Sequence, residues 1–153
     1  MDSHPTVALL APVPEVFLPE GKHLCENPRR GKVAFGSRAW EVFRRLDALR
    51  GGLPVYTLIY ASHAGAPRPV ASWRGYYIGH VEGVNGAHPD GPKYRPRTAV
   101  EDREDEGWWA VFWEVTGLEP LSVPISIGEL RGFGAKRNYA PFIPEGPVII
   151  ERP

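Results

Sequence analysis

A chain of 153 residues is long enough for one domain with its own core, burying roughly two thirds of its unfolded surface, and needs no metal or disulfide staple. Eighteen basic against 18 acidic residues leave no net charge, which excludes recognition of a polyanion by bulk charge and requires a local basic patch instead. The single Cys25 excludes an internal disulfide and a cysteine-rich zinc site, residues 1–6 show no basic-then-apolar leader, and no apolar run approaches the ~18 residues of a membrane span, so a soluble, cytoplasmic protein is expected.

Seventeen glycines and 17 prolines favour many short strands and turns over a helical bundle. Residues 6–12 (TVALLAP) are a continuous apolar run ended by Pro12 and Pro14, the pattern of a strand buried on both faces. Residues 15–28 carry no clear period and are expected to be irregular. Residues 32–36 (KVAFG) read as a compact apolar turn or short strand, and Ser37 is placed to cap a helix over 38–49. On that helix Phe43 and Leu46 share a face with Ala39, charged residues take the rest, and Gly51 and Gly52 end it. Residues 54–62 (PVYTLIYAS) predict a second strand, apolar on both sides. A third is predicted over 75–84 (GYYIGHVEGV), where Gly75, Gly79 and Gly83 mark sharp coiling of a barrel wall or backbone left bare for a close approach.

Residues 85–107 form a long excursion with Pro89, Pro92 and Pro96 and six acids against four bases. A solvated loop is expected there, with a substrate-facing lid as the other reading. Residues 108–115 (WWAVFWEV) hold three of the five tryptophans. Trp109, Val111, Trp113 and Val115 fall on one face and Trp108, Ala110, Phe112 and Glu114 on the other. Both faces are mostly apolar, so this strand belongs at the centre of a closed or covered sheet, its aromatics serving the core or a pocket wall. Ser126 and Glu129 have the spacing of a capping box that opens one short helix, broken by Gly132 and Gly134. Lys136, Arg137 and Asn138 form a polar cluster before a last strand over 147–151. With no repeat or linker, residues 1–153 are read as one domain with its core over about 6–151.

The sum is an α+β domain: a strongly curved sheet of five or six mostly antiparallel strands, with one main helix and one short helix. Certain phrases add to this: the turn and helix over 33–40; Ile59-Tyr60-Ala61-Ser62; Tyr77-Ile78-Gly79-His80-Val81 followed by His88-Pro89-Asp90; the tryptophan-led strand; and residues 123–130 (VPISIGEL). In that order they resemble the PUA-like superfamily and, within it, the EVE and ASCH domains, relatives of the YTH readers. The likeness covers about residues 6–151. It implies a pseudobarrel with a pocket between the helix entry and the barrel mouth that holds a modified nucleobase or a nucleotide. Matched by position, Val33, Ala34, Phe35, Gly36 and Ser37 enter the first helix and line that pocket. Tyr60, Ala61 and Ser62 end the strand of the opposite wall, Trp109 leads the strand beside it, and Arg137 and Asn138 fall near the polar segment before the last strand. The chain departs from the pattern at its start. EVE domains open with a tryptophan-bearing strand running into Glu-Pro, where this chain has Leu9-Leu10-Ala11-Pro12, so one aromatic wall is absent or comes from Trp40 or Trp73.

The expected function is non-catalytic binding of a nucleic-acid component, a modified base in DNA or RNA, or a nucleotide. A base held out of its stack needs aromatic faces and a few groups aimed at its edge. Phe35, Tyr60 and Trp109 are candidate faces, Ser37, Ser62 and Asn138 candidate edge contacts, and Arg38, Lys136 and Arg137 candidate phosphate contacts. Each has a plainer reading: core for the aromatics, a helix cap for Ser37, solvated surface for the cations. Some ASCH relatives are amidohydrolases that act on modified cytidines with a lysine, a threonine and a glutamate near the first strand. Lys22 as base and Glu26 as proton shuttle sit at the matching place, but the threonine is missing. A small-molecule binder and a protein-interaction module are the remaining classes. His4, His23, His63, His80 and His88 are scattered, and His23 with Cys25 has no partner pair, so no metal and no other cofactor is expected. His80 is expected to pair with Glu82.

Overall fold

The structure, a computed structural model, describes residues 5–63, 66–67, 69–101, 109–140 and 142–153. Trp108 and the acidic run over 102–106 lie outside the described residues. In chain order the elements are β1 (Val7–Pro14), α1 (Phe17–Glu26), β2 (Val33–Ser37), α2 (Trp40–Arg50), β3 (Val55–His63), β4 (Ala66–Pro67), β5 (Val70–Glu82), α3 (Arg97–Glu101), β6 (Val111–Ser126) and β7 (Val148–Glu151). Single 3-10 turns occupy Gly91–Tyr94 and Ile127–Glu129.

Six strands form one path in the order β2-β6-β5-β3-β1-β7, with the two-residue β4 added to β3. Every neighbouring pair is antiparallel except β1 and β3, which the crossover through α1, β2 and α2 makes parallel. The fold is therefore α+β with a mixed sheet, and the path has two ends, β2 and β7, so the sheet does not close. It does curl. Leu9, Val33, Ile59, Tyr77 and Trp113, one from each of five strands, share a single buried cluster with Phe43 and Leu46 of α2 and Phe17 and Leu18 of α1. Strands at opposite ends of a flat sheet could not do this.

Two features set the curl. Between β5 and β6 the register shifts three times, and Gly75 and Gly79 fall within these shifts, where the extra residues increase twist and bend the ribbon. Gly79 has φ +138°, and a Cβ on Gly75 would stand 2.6 Å from Val115 Cγ1. The glycines thus serve coiling and close approach together, and what approaches Gly75 is the protein's own β6. At the centre the Phe43 ring stacks on Trp113 (5.7 Å, 17°) and on Tyr77 (5.8 Å, 29°), while Phe35 tilts against Trp113 at 5.0 Å. This run of rings docks α2 into the concave face.

Three expectations about helices are corrected. Residues 15–28 are not irregular: they contain α1. Pro19 sits in its first turn, where a missing N–H costs nothing, and Gly21 brings it close to the sheet, since a Cβ there would meet Leu118 Cδ2 at 2.9 Å. Neither residue is a breaker in this context. The proposed capping box does not open a helix, because β6 runs on to Ser126, a single 3-10 turn follows, and Ser126 makes no side-chain cap. The domain accordingly has three α-helices among its described residues, rather than one main and one short helix.

Over its described residues, 85–101, the excursion after β5 is not a solvated loop. His88, Arg95 and Ala99 are buried, and Arg95 Nη1 donates to Ala34 O at 2.7 Å on the edge strand β2. Glu20 of α1 receives the first-turn N–H of Thr98 at 2.9 Å and its hydroxyl, which caps α3 from outside. The outer face of β6 is covered in the same way. Phe112 meets the His88 ring edge-on at 5.3 Å, and Glu114 takes Lys32 Nζ at 3.0–3.1 Å with His88 Nε2 3.5 Å away. His88 Nδ1 accepts the N–H of Asp90 at 3.0 Å, which leaves the ring proton on Nε2, facing Glu114. This cover is why both faces of the tryptophan strand are apolar.

Burial pushes the Glu114 carboxyl up, but the nearby His88 N–H and the hydrogen bond and charge of Lys32 outweigh it and hold it below the ordinary value of 4.5. A carboxylate with a lowered folded pKa contributes stability that is present above 4.5 and lost as pH falls through the lower folded value. Glu114→Gln is therefore expected to lower the urea midpoint at pH 7, and the gap from wild type is expected to narrow as pH is taken from 7 to 3. A gap that stays constant across that range would show that the ionised pair does not hold the excursion down.

Candidate binding cleft

A cleft of about 440 Å³ opens where β2 comes round to β1, two strands separated by three others in the sheet order. One wall is the parallel pair: Pro12 is in register with Tyr60 and Pro14 with Ser62, and all four line the cleft. The facing wall is Gly36, Ser37 and Arg38, where β2 turns into α2. The coil at 144–147 forms the rim, held by the Tyr60 hydroxyl, which donates to Pro144 O at 2.5 Å. Burial pushes that hydroxyl above its ordinary range, so it stays a donor.

Trp109 closes the seam. A Cβ on Gly36 would lie 2.6 Å from three atoms of its indole, so the ring packs directly on the backbone of β2 and only glycine leaves room. The Ala110 N–H donates to Ser37 O at 3.1 Å and the Gly83 N–H to Ala110 O at 2.8 Å, which ties the segment leading into β6 to both sides of the seam. The indole is half-buried and walls both the cleft and a smaller cavity of about 70 Å³ behind it, beside Phe17, Phe35 and Arg95. Its Nε1–H is buried and has no acceptor among the described residues. An unmet buried donor costs about 1–3 kcal/mol, so this group is suited to an acceptor brought from outside.

Six of the residues singled out from the sequence, Gly36, Ser37, Arg38, Tyr60, Ser62 and Trp109, come together at this cleft. Their availability differs. Tyr60 and Phe35 are fully or nearly buried, Ala61 lies in the core cluster, and Phe35 is spent against Trp113, so of the three candidate stacking rings only Trp109 has free surface. Ser37 does not cap the helix itself: its Oγ accepts the Ala39 N–H at 3.0 Å in the turn before α2. Lys136, Arg137 and Asn138 are exposed and do not line the cleft, and Asn138 belongs to a separate groove with Arg131, Glu151 and Arg152. Lys22 and Glu26 pair with each other across one turn of α1 on its exposed side and do not line the cleft either. Among the described residues no group of three His, Cys, Asp or Glu is placed to hold a metal. No helix among them is long and apolar enough to cross a membrane.

Comparison with family models, with curated proteins and with solved structures finds no match to this chain. The sequence missed Pro12, Pro14 and Glu145, which line the cleft because of the parallel β1–β3 pairing and the path of the C-terminal coil. The one local signal was the pair of prolines ending an apolar run.

A double-mutant cycle tests the seam. Gly36→Ala is expected to destabilise the protein by about 1–3 kcal/mol, the usual cost of overpacking, and far less in a Trp109→Ala background, where the added methyl has space. Additive urea-unfolding energies would mean that the indole does not rest on Gly36.

Proposed function

We propose that the chain is a PUA-like pseudobarrel and that its cleft holds a base of DNA or RNA, a modified base among others, without chemical conversion. The observation that carries this reading is Trp109: a half-buried aromatic face at the cleft, with an N–H buried beside it that lacks an acceptor among the described residues. The volume of about 440 Å³ lies within the range of sites for small planar ligands, roughly 300–1,000 Å³. Ser62 and Arg38 supply polar contacts around it, and Glu145 adds an acceptor for an exocyclic amine. A second reading, a free nucleoside or nucleotide as ligand, is favoured by one observation: Lys136 and Arg137 stand away from the cleft, so the contacts expected for a phosphate chain are few.

Salt dependence separates the two. Binding of fluorescently labelled single- and double-stranded DNA and RNA, with and without methylated or hydroxymethylated bases, would be measured by anisotropy at two salt concentrations, beside the free nucleosides. A base reader is expected to prefer one modification at both salts and to lose about 5- to 150-fold on Trp109→Ala, the range for one stacked base. A nucleoside binder would show equal affinity for the free compound and no salt dependence, with no polyanion to release counterions. No binding in any arm, or binding indifferent to Trp109→Ala with the fold intact by circular dichroism, would overturn the assignment of the cleft.

A further inference from the structure

On the other side of the 109–111 segment lies a second cleft, of about 510 Å³, lined by Trp40 and Arg44 of α2, His80 and Glu82 of β5, and Ala110 and Val111. It shares its ridge with the first: Trp109 walls one cleft and Ala110 the other, and Arg38 and Trp40 stand two residues apart on the turn into α2. The ridge is tethered on both sides, since Ala110 is hydrogen-bonded on one side to Ser37 and on the other to Gly83.

Its side chains are set for a ligand. Trp40 and Arg44 are one helical turn apart on one face of α2, and Trp40 is 46% exposed, much for a ring of its size. Arg44 makes no ion pair or hydrogen bond with any described residue. His80, expected to pair with Glu82, is instead held by Asp47, whose Oδ2 lies 2.8 Å from His80 Nδ1. The other Asp47 oxygen accepts Arg50 Nε at 2.7 Å and the Tyr77 hydroxyl at 2.9 Å. A carboxylate only accepts, so Nδ1 carries the proton and the ring is fixed, leaving Nε2 as the nitrogen a ligand can meet. Glu82 stays unspent by that network. The groups on offer are therefore an aromatic face, a guanidinium without an ion pair among the described residues, one oriented ring nitrogen and a carboxylate.

We propose that this second cleft is a subsite for the neighbouring nucleotide of a single-stranded DNA or RNA whose base occupies the first cleft, with Trp40 stacking on the flanking base and Arg44 meeting the phosphate that joins the two. The proposal rests on the base-binding reading of the first cleft and extends it from a base to a dinucleotide unit. A continuous strand passing over the 109–111 ridge can reach both clefts, and a free nucleoside can fill only one. His80 and Glu82, an oriented nitrogen and an acceptor, face the edge of the second base and give it a preference of its own.

The test compares a mononucleoside, the corresponding dinucleoside monophosphate and a tetranucleotide, as both DNA and RNA, by calorimetric titration against wild type, Trp40→Ala, Arg44→Gln and Trp109→Ala. Wild type is expected to gain about tenfold or more from mononucleoside to dinucleoside monophosphate, the contribution of one stacked base. Trp40→Ala and Arg44→Gln are expected to remove most of that gain while leaving the mononucleoside within about twofold, as both side chains are exposed and lie outside the first cleft. Equal affinity for the mononucleoside and the dinucleoside, or a gain untouched by Trp40→Ala, overturns the second subsite while the first stands. Dinucleoside binding that depends on Trp40 and Arg44 but not on Trp109 overturns the first cleft and keeps the second. Absence of binding in every arm overturns both.

Discussion

The site depends on a sheet that curls far enough to bring its first edge strand round to β1 but stops short of pairing with it. Had β2 and β1 been hydrogen-bonded, the barrel would be complete and its backbone groups satisfied by a ladder, with no room for a cleft. Instead the Trp109 indole packs on Gly36 and walls the space left between Gly36 and Pro12. Trp109 fits there because Gly36 has no side chain, and its N–H is left without a described partner because the seam is made of ring and backbone rather than of paired strands. The cleft, the smaller cavity behind it and the unmet donor all follow from that incomplete closure.

An open edge exposes unpaired N–H and C=O groups, and the chain spends its long excursion on covering them. Arg95 reaches the Ala34 carbonyl, His88 and Lys32 converge on Glu114, and α3 is capped by Glu20 from the far side of α1. The charged residues used for this are tolerated there because each is paired, with Glu114 between the Lys32 ammonium and the His88 ring and Arg95 over the Phe112 ring at 5.0 Å. A polar, proline-rich segment can thus act as the outer layer of a small domain: its prolines stiffen it, and a few placed charges do the work that an apolar face does in a helix.

What could be read in the sequence follows from this division. Parts of three strands are legible, because alternation over 54–62 and 108–115 and the glycine spacing over 75–84 are local properties of the chain. But β5 begins at Val70, β6 runs from Val111 to Ser126, and the tryptophan strand lies beside the edge strand β2 rather than at the centre, its two apolar faces explained by the excursion that covers it. The helix α1 was not legible, because Pro19 and Gly21 argue against a helix locally and are explained only by what they pack against. The excursion's packing is illegible for the same reason: nothing local marks Arg95 and His88 as buried, because their partners Ala34 and Glu114 are distant in sequence. At the site, alternation places Phe35 and Tyr60 on strands and Trp109 at the head of one, but it does not say how far each stands from the seam, and Trp109 in fact precedes β6. That distance decides which ring is core and which is wall, and it is set by the β1–β3 pairing and the register shifts of β5. The cluster over 136–138 was drawn toward the cleft by its order in the sequence, and the C-terminal coil carries it elsewhere.

The charge distribution limits the kind of nucleic acid that such a site could hold. With no net charge and few cations beside either cleft, counterion release supplies little free energy, so stacking and edge contacts would have to carry the affinity. Each stacked base contributes on the order of 1–3 kcal/mol, while taking a base out of a duplex costs a few kcal/mol before any contact is made. One ring at the first cleft cannot comfortably offset that cost. Under the proposed reading, a strand that is already open carries no such cost, and two rings on either side of the ridge would then supply the affinity. Such a site, on the proposed base-binding reading, would therefore be met by single-stranded loops, ends or mismatches, where unstacking has been done by something else, and its selectivity would come from the edge contacts that a neutral surface leaves uncontested.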